Sequence, residues 1–321
     1  MNTASPPPAA PHPAEPRPER YRSALARHFA ATRPAFLAVT LVACLIGLAS
    51  AHADGVAIDA WTALPTLLAA LAAHAGGNVI NDYHDAVSGA DDANRGRLFP
   101  FTGGSRFIQN GVLGARHTAR FGYGLLAAVV PAGLWLAAQA GPGLVLVGAA
   151  GLVLGWAYSA PPLQLVHRGC GELVITACWL LVVVGADYVQ RGAFAMLPAA
   201  AGLSYALLVA NLLFINQFPD HDGDAAAGKR TLVVRLGPQV AKWGYLLIAI
   251  TAYAWLIAMV TAHQLPQKTA AAALTVAISF PAARDLLEYA ATPAELAPAI
   301  RRTIAATLVH GLLLTAALAL F

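Results

Sequence analysis

The chain has 321 residues, 58% hydrophobic and only 11% charged, with a mean hydropathy of +0.61. Soluble domains carry about 25% charged residues. This composition therefore excludes an ordinary soluble protein and, with repeated apolar runs of about 20 residues, points to a polytopic helical membrane protein. The net charge of +4 decides little, because its distribution carries the information. No nucleic-acid partner and no obligate protein partner is expected.

Residues 1–33 are rich in Pro, Ala and Arg without apolar periodicity and predict a disordered cytoplasmic tail. Ala51-His52-Ala53 matches a signal-peptide cleavage site, but Ala is abundant here and the leader is too long for an ordinary n-region. Nine apolar segments follow, at roughly 34–51, 60–80, 118–139, 142–158, 171–190, 194–215, 239–262, 267–284 and 302–320. Alternating from a cytoplasmic N-terminus, they leave 18 of the 20 Lys and Arg on the inner face; only Arg191 and Lys268 fall outside. That split supports nine membrane helices in this orientation. Cys44, Cys170 and Cys178 lie in or beside apolar runs without metal spacing and read as packing residues.

Two acidic stretches stand at the inner ends of apolar runs. Residues 78–92 read NVINDYHDAVSGADD and carry Asp82, Asp85, Asp91 and Asp92; residues 220–231 read DHDGDAAAGKRT and carry Asp220, Asp222 and Asp224. Carboxylates at a membrane edge are costly and usually functional. Asp82 and Asp220 lie 138 residues and four helices apart, which suggests a duplicated four-helix unit plus a ninth helix. The three-residue step from Asp82 to Asp85 and the four-residue step from Asp220 to Asp224 each put two carboxylates on one helix face. Facing pairs would concentrate negative charge. Mg²⁺ suits them best, since it takes oxygen ligands and is commonly completed by substrate phosphates. Lys229, Arg230 and Arg106, the last in the Gly-rich stretch 102–111, could hold diphosphate oxygens. Gly103 and Gly104 would let backbone amides approach an anion. If the organic part of such a diphosphate is allylic, its departure leaves a carbocation that the faces of Tyr83 and Tyr158 could stabilise.

These residues resemble the UbiA superfamily of intramembrane aromatic prenyltransferases. Asn81, Asp82, Tyr83 and Asp85 match its first signature, N-D-x-x-D-x-x-x-D; position 89 is Gly and the third aspartate is Asp91. That form looks like the branch that prenylates dihydroxynaphthoate in menaquinone synthesis. Asn216, Asp220, Asp224, Gly228, Lys229, Thr231 and Leu232 match the second signature, with Pro219 where the family carries Arg. The segments Tyr158-Ser159-Ala160-Pro161-Pro162 and Arg168-Gly169-Cys170-Gly171-Glu172 are similar to two further turns of that branch. The resemblance covers about residues 34–320. It implies an all-α, isoprenoid-synthase-like bundle of nine transmembrane helices around a central cavity, forming one membrane domain over 34–321.

The expectation is then a Mg²⁺-dependent transfer of a polyprenyl group from its diphosphate to an aromatic acceptor, first of all 1,4-dihydroxy-2-naphthoate, in the plasma membrane. The metal would be held by Asp82, Asp85, Asp91, Asp220 and Asp224, with Asn81 and Asn216 orienting carboxylates or donating to diphosphate. Other acceptors, 4-hydroxybenzoate or homogentisate among them, stay open, as do a transporter and a non-catalytic scaffold.

Overall fold

The computed structural model describes residues 12–320, and every regular element among them is helical. A short helix, α1 (Ala24–Ala31), precedes the bundle of α2 (Ala38–Ala53), α3 (Ala60–Ser88), α5 (Ala115–Ala140) and α6 (Gly143–Ser159). The bundle continues with α7 (Gly171–Arg191), α8 (Met196–Ala226), α10 (Pro238–Thr261), α11 (Val276–Tyr289) and α12 (Ala297–Ala319). Two small helices, α4 (Ala90–Ala93) and α9 (Leu232–Leu236), follow α3 and α8. Eight helical stretches are long and apolar enough to cross a membrane; α6, with 17 residues, is the shorter ninth.

Of these, α8 is the axis: 78% of its apolar window is buried, against 17% for α5 on the periphery. Small residues allow that depth. A Cβ on Gly202 of α8 would sit 2.9 Å from Val183 Cγ1, and one on Gly47 of α2 would sit 2.8 Å from the Ala186 Cβ, so the backbones of α2, α7 and α8 close on one another. The main core cluster joins Val42, Ile46, Trp179, Val183, Tyr205, Val209 and Leu314 from α2, α7, α8 and α12. Two pairings satisfy buried polar groups in and beside it, where lipid would offer no partner. Tyr205 donates to the Val39 carbonyl at 2.7 Å, and the His310 ring lies 3.1 Å from Ser204 Oγ.

Two helices outrun the membrane. At 1.5 Å per residue the 29 residues of α3 and the 31 of α8 exceed the length needed to cross a hydrocarbon core of about 30 Å. Some 20 residues from their starts lie Asn81 and Asn216, so both acidic motifs occupy helical turns beyond the apolar stretch. The predicted ends at 80 and 215 are therefore short: the sequence turns polar there, but the backbone remains helical to 88 and 226. Pro219 does not end α8, since helices packed among neighbours tolerate an internal proline.

Residues 1–11 of the expected disordered tail lie outside the described residues. The remainder, 12–33, is not structureless: Ser23 caps α1 by accepting from the Ala26 N–H, and Glu15 is fully buried. Arg97 donates to the Glu15 carboxylate at 2.8 Å and Asn110 at 3.1 Å. A low local hydrophobicity predicted disorder, but these partners come from a distant loop and supply what the segment's own composition lacks.

Candidate active site

The site stands where the projecting ends of α3 and α8 meet. On α3, Asp82 and Asp85 are one turn apart and both buried. Gly89, at φ 81°, ends the helix in the left-handed conformation that glycine adopts freely, and α4 then brings Asp91 inward. On α8, Asp220 and Asp224 share one face, with Asn216 and Gln217 a turn below. Lys229 arrives from the loop after α8 through Gly228, at φ 74°.

The two halves brace each other. Lys229 Nζ lies 2.9 Å and 3.1 Å from the two Asp85 carboxylate oxygens and 3.4 Å from Asp224. In return the Asn94 side-chain amide, from the loop after α4, donates to Asp220. The approach is close: a Cβ on Gly223 of α8 would come within 2.7 Å of Asn94 Cα. Burial by itself would depress the Lys229 ammonium, but the Asp85 and Asp224 carboxylates outweigh it and hold its pKa well above the usual lysine range. Asp91 is pushed well above the ordinary carboxylate range, first by burial and then by the charges of Asp85 and Asp82.

A polar cavity of about 110 Å³ occupies this junction. Its wall includes Asp85, Asp91, Asp220, Asp224, Lys229 and Arg33. Asn81, Asn216 and Tyr158 also line it, and all three line a second, mainly apolar cavity of about 230 Å³ that continues between α2, α3, α6, α7 and α8. The polar chamber and the apolar one thus share part of their wall.

The donor set fits a hard divalent cation such as the expected magnesium, because it is made of oxygens. Four carboxylates line the polar cavity, and the Oδ1 atoms of Asn94 and Asn216 are buried without a hydrogen-bond partner among the described residues. Among the described residues no three His, Cys, Asp or Glu groups converge on one point, and Lys229 and Arg33 neutralise carboxylates instead.

Several expected residues stand elsewhere. Asp82 is not on the cavity wall: Arg33 pairs with it, and the Ser105 N–H donates to it at 3.1 Å. Arg106 is buried but faces away, donating to the Asp91 backbone carbonyl and lying 4.0 Å from Glu15. Arg230 is exposed, and its carbonyl accepts from Arg235 at 2.8 Å. Tyr83 sits about 100° round the helix from Asp82 and packs on His84, with centroids 4.9 Å apart. Asp92 and Asp222 are exposed.

Sequence reasoning missed Arg33, Asn94 and Gln217. Arg33 and Arg106 both hold positive φ, at 56° and 65°, a conformation uncommon outside glycine that persists only where the surroundings enforce it. The one available signal for Arg33 was a cation at the very head of the first apolar run. Asn94 and Gln217 carried none, because their partners, Asp220 and Glu172, are 126 and 45 residues away.

The sequence pattern described as the UbiA prenyltransferase family matches residues 40–297. A 1,4-dihydroxy-2-naphthoate octaprenyltransferase of Mycobacterium leprae is 32% identical over 55% of this chain, and the match spans 58% of that protein's length. A 2-carboxy-1,4-naphthoquinone phytyltransferase of Synechocystis is 28% identical over 81% of each chain. Among solved structures, a UbiA homolog from Archaeoglobus fulgidus bound to DMAPP and Mg2+ superposes with a TM-score of 0.55 over 90% of this chain and 99% of its own, at 14% identity.

Proposed function

This chain belongs to the UbiA prenyltransferase family, and we propose that it transfers a polyprenyl group from a polyprenyl diphosphate to an aromatic acceptor, with magnesium, in quinone biosynthesis. 1,4-Dihydroxy-2-naphthoate is the first acceptor to expect, because a relative that carries that name is 32% identical. One observation carries the reading: a carboxylate-lined polar cavity joins an apolar one through the shared residues Asn81, Asn216 and Tyr158. That arrangement suits a ligand with a polyanionic head and a hydrocarbon tail.

Asp85, Asp91, Asp220 and Asp224 would hold magnesium, which when bound lends positive charge to the departing diphosphate. Lys229 and Arg33 turn from their carboxylate partners toward the diphosphate oxygens, charge-assisted contacts that strengthen as charge develops on the leaving group. The bond between C1 and the bridging oxygen breaks, and its electron pair leaves with the diphosphate. The Tyr158 ring, half-buried at the cavity junction, faces the allylic cation that remains. A ring carbon of the acceptor gives an electron pair to C1, and aromaticity returns as that carbon sheds H⁺ or CO₂. Asp82 acts at one remove, by fixing Arg33. The site faces the cytoplasm, in line with the 18 of 20 cations assigned to that side.

The test uses membranes carrying the chain, a labelled polyprenyl diphosphate and a panel of aromatic acceptors, with and without EDTA. One EDTA-sensitive, lipid-soluble adduct is expected. No adduct with any acceptor, from protein shown to be inserted and folded, defeats the proposal; an adduct with another acceptor alone defeats only the naphthoate assignment.

A further inference from the structure

The polar face of α3 does not stop at the acidic motif. His74, Asn78, Asn81 and Asp85 follow one another at steps of four, three and four residues, which keeps them on one side of the helix. The first three line the apolar cavity, and Asn81 and Asp85 line the polar one. A polar stripe therefore runs from the carboxylates into the chamber that should be purely hydrocarbon.

His74 marks its inner end. Thr40 Oγ1, from α2, lies 2.8 Å from its Nδ1, and the Asn78 side chain, whose amide donates to the Thr32 carbonyl at 3.1 Å, stands one turn further along the same face. The Trp179 ring from α7 meets it edge-on, with centroids 5.0 Å apart. Trp179 also lines this cavity; among the described residues its buried indole N–H has no acceptor and the Asn216 Oδ1, at the mouth, has no donor. A buried indole N–H usually finds a partner, and each polar group buried without one costs free energy. A polyprenyl chain has no atom that can bond to any of these groups.

We infer that His74, with Asn78 and Trp179, forms the seat of the aromatic acceptor, binding a ring hydroxyl through hydrogen bonds. The inference rests on the prenyl-transfer reading and extends it. The step of seven residues from His74 to Asn81 spans about 10 Å of helix. The acceptor ring lies in that interval, between the imidazole and the diphosphate end of the donor. The tail takes the remaining apolar wall, along Gly151, Gly155 and Val182. His74 is a specificity-determining residue: it selects a hydroxylated ring over a hydrocarbon of the same size, since a lost hydroxyl leaves the ring nitrogen that does not face Thr40 unpaired.

The experiment compares the full-length wild type with His74→Leu and His74→Gln. The KM of each substrate is measured, together with equilibrium dialysis of labelled 1,4-dihydroxy-2-naphthoate in EDTA without donor. His74→Leu should raise the acceptor KM and Kd about tenfold, the loss of one hydrogen bond, with the donor KM unchanged. His74→Gln, which keeps a polar group there, should stay much closer to wild type. Unchanged acceptor binding in His74→Leu, or an equal rise in both KM values, overturns the inference. Should His74→Leu fail to fold, Thr40→Val, which removes the partner of Nδ1, must weaken acceptor binding selectively, and no such change overturns it. Failure of the two readings is distinguishable: wild type that prenylates naphthoate while His74→Leu matches it defeats this inference alone. Wild type that prenylates nothing defeats the broader proposal, and dialysis still decides whether His74 binds a hydroxylated ring.

Discussion

The ends of α3 and α8 each carry an acidic motif, yet they are built differently. The α3 end is fixed by cations: Arg33 holds Asp82 and Lys229 holds Asp85. At the α8 end, Asp220 is held by a neutral amide, Asn94, and Asp224 shares Lys229 at 3.4 Å. Each half draws on the other, since Lys229 follows α8 and Asn94 follows α3. The difference teaches that neither motif is a site alone. A buried carboxylate needs a compensating partner, and the fold supplies it from the opposite half.

That comparison can be broken at several points. The largest effect is expected for Asp220→Ala, which removes a cavity carboxylate: transfer should fall by about 100-fold or more in the membrane assay. Asp82→Ala should cost less, since Asp82 stands off the wall and acts through Arg33; equal losses would show that the two ends are equivalent after all. Lys229→Met separates the halves electrostatically. It leaves Asp85 and Asp224 buried without their cation and should destabilise the protein by about 3–5 kcal/mol, read from unfolding in detergent. Added Mg²⁺ should recover part of that loss; a variant as stable as wild type without Mg²⁺ would refute the bridging role.

Smaller effects sharpen the picture. Gly104→Ala forces a side chain onto a backbone at φ 72° and pushes its Cβ into the Asp91 carboxylate. The left-handed conformation alone costs about 1–2 kcal/mol, and the donor KM should rise as the loop shifts; an unchanged KM would mean that Asp91 takes no part in donor binding. Arg230→Ala should leave kcat/KM within about twofold, because the side chain is exposed and surface changes rarely matter. A large loss there would restore the role that its place beside Lys229 first suggested.

The amino-acid sequence by itself determined the class of molecule, the helical bundle and the two acidic motifs. Hydrophobic runs of membrane length, and carboxylates at fixed helical spacing, are local properties that a chain displays in order. It also singled out Asn81, Asn216, Lys229 and Tyr158, and the structure puts all four on a cavity wall. Arg106, Arg230 and Tyr83, which it also named, line neither cavity, because proximity in sequence to an aspartate does not say which way a side chain turns. Only the tertiary structure decided that Arg33 reaches Asp82 from 49 residues away, that Glu15 is buried against Arg97, and that Asp82 leaves the cavity to Asp85 and Asp91. The reason is physical: a buried charge is stabilised by whichever opposite charge or donor the packed fold brings within a few ångströms, and that distance is set by the bundle rather than by position along the chain.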